Sequence, residues 1–120
     1  MANQIVWADI PVKDLDRAIK FYSAVLGGAV HKAEAPGMSI GILPHSEGAA
    51  GGCLVQTAAD ETSMKGPLLY LNANGRLDAA VGAVEANGGK VIQPKHSIAP
   101  HGWRAVVLDS EGNRLALHSE

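Results

Sequence analysis

From Ile5 to Ile10 the chain is almost continuously apolar, and Pro11 interrupts the run. Beyond it, apolar side chains fall at Leu15, Ala18, Ile19, Tyr22, Val25 and Leu26. Steps of three and four line one face of an α-helix. Lys13, Asp16, Arg17 and Lys20 take the other face, Asp14 suits the N-cap, and Gly27-Gly28 supply a left-handed stop. The pattern predicts a strand followed by an amphipathic helix.

The pattern then repeats. Leu15-Asp16-Arg17-Ala18-Ile19 is echoed by Leu77-Asp78-Ala79-Ala80-Val81, and Gly27-Gly28-Ala29-Val30 by Gly88-Gly89-Lys90-Val91. Strands are expected at Ala29–Glu34, Met38–Leu43 and Gly51–Thr57, with a glycine-rich loop over Pro44–Gly52. Ala58–Gly66 reads as a connector. A second unit follows, with a strand at Pro67–Ala73, a helix at Arg76–Asn87 and strands at Lys90–Pro94, Trp103–Leu108 and Arg114–His118. Lys95–Gly102 reads as its long loop and Asp109–Asn113 as a turn. Gly82, inside the second helix, suggests a close backbone approach. The chain is therefore α+β, a single domain of two tandem βαβββ modules, 1–58 and 66–120.

Composition narrows the function classes without choosing one. The 120 residues suffice for one hydrophobic core. A net charge of −2 without a basic cluster argues against nucleic acid or an anionic membrane as partner. One cysteine, Cys53, allows no internal disulfide and suits a reducing cytoplasm. The stretch MANQIVWADI has no basic region followed by an apolar core, so no signal peptide is expected, and no apolar run is long enough to span a bilayer.

Three stretches, IPVKDLDRAIKFYSAVLG, LDAAV…EANGGKV and DSEGNRLALHS, resemble the vicinal oxygen chelate superfamily of glyoxalase I, bleomycin and fosfomycin resistance proteins and extradiol dioxygenases. The last stretch is most similar to a bacterial glyoxalase-like branch. The resemblance covers nearly the whole chain. It implies that each module curls its strands into half of a cup, with helices outside and a ligand site within. It also implies a homodimer, since each module offers a strand edge that must be covered. Metal-using members carry His or Glu early in the first strand and on the last strand of each module. Here the first position is Trp7, the third Leu68 or Leu69, and the fourth Ala116; the second lies within Cys53–Gln56. Indole, isobutyl and methyl groups donate no lone pair to a divalent ion, so neither metal nor other cofactor is expected.

The candidate ligand-binding residues are Trp7, Asp9, Tyr70, Asn72, Trp103, Arg104 and His118. Asp9 is two residues beyond Trp7 on the same strand face, and His118 two beyond Ala116. Asp9 is either ion-paired, with Arg104 or Arg114, or a general base or hydrogen-bond acceptor for a ligand. Tyr70 and Asn72 alternate with Leu68. Trp103 and Arg104 follow the second loop, and alternation does not say which points inward. His45, His96 and His101 read as solvated loop histidines, and Cys53 as a small buried residue. These residues suit a metal-free protein that binds a small, partly aromatic molecule. The alternative is a lyase- or isomerase-type enzyme using Asp9, Tyr70 and His118 as acid–base groups, or a rebuilt metal site.

Overall fold

A computed structural model describes residues 4–35, 37–57 and 62–120. Part of the expected connector, 58–61, lies outside them. The first module runs β1 (Trp7–Val12), α1 (Leu15–Leu26), β2 (His31–Ala35), β3 (Met38–Ile42) and β4 (Gly51–Gln56). The second runs β5 (Leu69–Asn72), α2 (Leu77–Ala86), β6 (Lys90–Ser97), β7 (Trp103–Leu108) and β8 (Arg114–Ser119). Each module forms its own four-stranded sheet, in the orders β1-β4-β3-β2 and β5-β8-β7-β6. The matching orders, with β1 parallel to β4 and β5 parallel to β8, express the duplication. The sheets are curled but not closed, giving the α+β architecture of two tandem βαβββ modules.

Helix α1 begins where Asp14 Oδ1 accepts from the Arg17 N–H at 3.1 Å, and ends at Gly27, whose φ of 70° is left-handed. It buries Leu15, Ala18, Phe21, Tyr22 and Val25. With Leu77, Ala80 and Val84 of α2, and Ile10, Val12, Leu54, Val107, Leu115 and Leu117 from the strands, these side chains make one core shared by both modules. Burying each large side chain contributes roughly 1.5–3 kcal/mol.

A polar latch reinforces the junction. The β7–β8 turn places Asp109, Glu111 and Asn113 in the interior. Asp109 accepts from the Tyr22 hydroxyl at 2.6 Å, from Asn113 Nδ2 and from the N–H groups of Glu111 and Asn113. Glu111 accepts from the Lys13 and Asp14 N–H groups at 2.9 and 2.8 Å, and from Arg17 through Nε and Nη2 at 2.7 and 2.8 Å. A carboxylate there meets the free amides and positive end of α1.

Three local expectations change. Strand β1 passes through Pro11, because β4 pairs on only one side of it and Asn113 Nδ2 meets the Pro11 carbonyl on the other. Strand β6 passes Pro94 to reach Ser97, since it is an edge strand with register shifts on either side of Gln93, so His96 belongs to a strand rather than a loop. Gly82 faces open space. The close approach is at Gly89, where an added Cβ would lie 2.6 Å from the Phe21 ring.

Candidate functional site

The two faces of each sheet differ sharply. In β1, Ile10 and Val12 turn into the core, which leaves Trp7, Asp9 and Pro11 on the helix-free side. Register extends this open face from Asp9 to Cys53 and Ile42, and from Pro11 to Val55 and Ile40. In the second sheet Leu69 and Leu71 pack on the core, so Tyr70 and Asn72 take the open side. Tyr70 is in register with Ala116, and Asn72 with His118; His118 in turn faces Arg104, and Arg104 faces His96. The open faces thus collect six of the seven candidate residues.

Trp7 is 43% exposed, and its indole is nonetheless held. Nε1 donates to Asp9 Oδ1 at 3.1 Å, and the ring meets His45 edge-on at 5.5 Å. Cys53 Sγ lies 3.3 Å from the same Asp9 oxygen. Burial pushes the Cys53 thiol up; the Asp9 carboxylate adds to this and the Trp7 contact opposes it, so the group stays a thiol. Among the described residues Asp9 forms no ion pair with Arg104 or Arg114.

On the second sheet Arg104 Nη1 donates to the Tyr70 hydroxyl, and Arg104 Nε donates to His96 Nε2 at 3.0 Å. The guanidinium carbon is 5.9 Å from the Tyr70 ring centroid, and Tyr70 meets His118 edge-on at 6.2 Å. His118 Nε2 donates to the His101 carbonyl at 2.7 Å. Asn72 is spent locally, its Oδ1 accepting from the Asn74 N–H. Trp103 is not brought to the others. It lies on the opposite face from Arg104, under Lys95 Nζ at 5.4 Å and beside the start of α2. Sequence reasoning missed His96, because its role depends on β6 continuing past Pro94, and His45, whose contact with Trp7 joins residues far apart in the chain.

Between β1 and β5, whose facing edges do not pair, lies a cleft of about 450 Å³ bordered by Ala8, Ile10, Leu43, Tyr70 and Asn72. A second hollow of about 260 Å³ is bordered by Asp9, Ser63, Lys65 and Arg114. The first has the scale and mixed lining of a small-molecule site, and the second falls just below that scale.

The model of the Glyoxalase/Bleomycin resistance protein/Dioxygenase superfamily matches residues 4–117. The chain belongs to that superfamily. A "Glyoxylase-like domain-containing protein" from Didymella fabae is 34% identical over 96% of this chain and 92% of its own. Among solved structures, a glyoxalase/bleomycin resistance protein from Albidiferax ferrireducens T118 shares the fold with a TM-score of 0.79 at 21% identity, covering 98% and 99% of the two chains. A genomically encoded fosfomycin resistance protein from Listeria monocytogenes has a TM-score of 0.71 at 12% identity, covering 100% and 95%.

The metal that glyoxalase-superfamily members can carry has a poor fit here. Of the positions that the resemblance implies, Trp7, Cys53 or Val55, and Ala116 lie on the open face, while Leu69, one of the two choices for the third, packs on the core. Only Cys53 among these offers a donor atom. Among the described residues, no three His, Cys, Asp or Glu side chains converge as a ligand set.

Proposed function

We propose that this glyoxalase-superfamily chain binds a small, partly aromatic organic molecule on its open sheet faces and holds no resident metal. The observation that carries this reading is the exchange of metal donors for an indole, with Trp7 half-exposed yet fixed by Asp9 and His45. A preset aromatic platform loses little freedom when a ring stacks on it. Asp9 and Tyr70 supply the polar contacts that orient the ligand. A homodimer, closing each open face with a second copy, and a reducing cytoplasm, suited to the lone buried Cys53, complete the proposal.

The enzymatic alternative uses Asp9, Tyr70 and His118. Tyr70 and His118 are neighbours, whereas among the described residues the polar contacts of Asp9 are with Trp7 and Cys53 of its own sheet. That separation favours binding over a concerted proton relay.

A thermal-shift screen of small aromatic compounds tests the reading, because a ligand at a hundred times its Kd adds about 2.7 kcal/mol to the native state. Trp7→Ala should abolish the shift while costing less than about 1.5 kcal/mol in urea, well below the roughly 3–5 kcal/mol of a core tryptophan. A variant that loses several kcal/mol while ligand affinity stays unchanged makes Trp7 a core residue and ends the reading.

A further inference from the structure

The open face of the second sheet carries Arg104, Arg114, His96 and His118 and, among the described residues, no carboxylate. Nearby acids are engaged elsewhere. Asp78 pairs with Lys95, Asp109 and Glu111 belong to the latch, and Asp9 accepts from Trp7 and Cys53. Glu120, beside His118 at the chain end, forms no ion pair among the described residues.

Arg104 is oriented without being neutralised. The His96 Nδ1 is 2.8 Å from the Pro94 carbonyl oxygen, which can only accept, so the ring hydrogen sits on Nδ1. That leaves the Nε2 lone pair for Arg104 Nε, while the Tyr70 hydroxyl receives Nη1. Two uncharged acceptors therefore fix the guanidinium plane, and among the described residues Nη2 has no partner. A planar cation held this way, with donors to spare, matches an oxyanion. The Tyr70 ring beside it supplies an apolar surface.

Building on the binding reading above, we propose that the ligand class of this face is an aromatic carboxylate, its carboxylate received by Arg104 and its ring lying against the exposed aromatic side chains. The same arrangement disfavours a cationic ligand, which would meet the Arg104 guanidinium.

The probes that test this are indole-3-acetate and indole-3-acetamide, which share a ring system and differ in charge. Calorimetric titration of the full chain should give at least about tenfold tighter binding of the acetate, the scale of one charge-assisted contact. Arg104→Gln should remove that preference by weakening the acetate more than the acetamide, so that the two affinities come within about twofold of each other. Arg104→Lys should retain part of the preference, and 0.5 M NaCl should shrink it in the unmodified chain. If Arg104→Gln does not fold, the lysine variant and the salt series decide. Equal binding of both probes, or a preference that survives Arg104→Gln, overturns the carboxylate inference and leaves aromatic binding standing; the first of these is also the result expected if a second copy's acid neutralises Arg104. Binding of neither probe overturns both.

Discussion

Replacing Glu111 by glutamine removes one charge from the polar latch and leaves its outline almost unchanged. In the native protein Glu111 is buried, and burial by itself would raise its pKa. The hydrogen bonds from Arg17, Ser110 and the Asp14 and Lys13 amides outweigh that effect and bring the value from 4.5 down to about 2. Such a drop corresponds to roughly 3 kcal/mol at about 1.4 kcal/mol per pKa unit. Because the folded-state pKa lies below the unfolded one, this stability is fully present above about pH 4.5 and is lost as pH falls towards 2. Glutamine imitates the protonated carboxyl and gains nothing from the change. Urea denaturation at pH 7 should therefore find Glu111→Gln about 3 kcal/mol less stable than the native chain, and by pH 3 less than about half of that gap should remain. A gap below about 1 kcal/mol at pH 7, or one that is constant from pH 7 to pH 3, would refute the claim that a charged Glu111 ties the second module to the start of α1.

Two further outcomes follow from the site and the sheet edges. Elemental analysis of the purified chain should find no stoichiometric divalent metal, and Trp7→His should stay metal-poor, since one restored donor does not rebuild a site lacking the others; near one Zn, Ni, Mn or Fe per chain, retained through mild chelation, contradicts this. Light scattering at tens of micromolar, an order-of-magnitude choice above ordinary dimer Kd values, should show a homodimer, because Trp7, Met38 and Tyr70 are each more than 40% exposed and the strand edges need cover; monomer alone at that concentration counts against it.

The sequence pattern made the duplication and the strand faces legible for simple reasons. Apolar positions repeat at 3.6 in α1 and at 2 in β1, so Ile10 is separated from Trp7 and Asp9 without coordinates. The phrase carried by α1 and α2 announced the second module. Other features were hidden by their physics. Ala105, Val106 and Val107 are all apolar and buried, so alternation in β7 was silent and Trp103 could not be separated from Arg104. Phe21 fell outside the expected stripe because α1 packs against α2 as well as against β3 and β4. The latch joins Glu111 to residues 94–98 positions away, a distance at which local pattern says nothing. Pro94 read as a strand end and concealed His96, although an edge strand tolerates it at a shift in register.

The chain's two tryptophans offer a direct test of where a ligand binds, since Trp7 lies on the open face and Trp103 on the opposite face of its sheet beside α2. Their indole N–H groups give separate signals in a two-dimensional ¹H–¹⁵N spectrum of the labelled protein. On titration with indole-3-acetate and, separately, indole-3-acetamide, the Trp7 signal should move to saturation with at least one of them while the Trp103 signal stays in place. Movement of Trp103 with Trp7 unmoved, or saturable binding that moves neither signal, would contradict a ligand site on the open face.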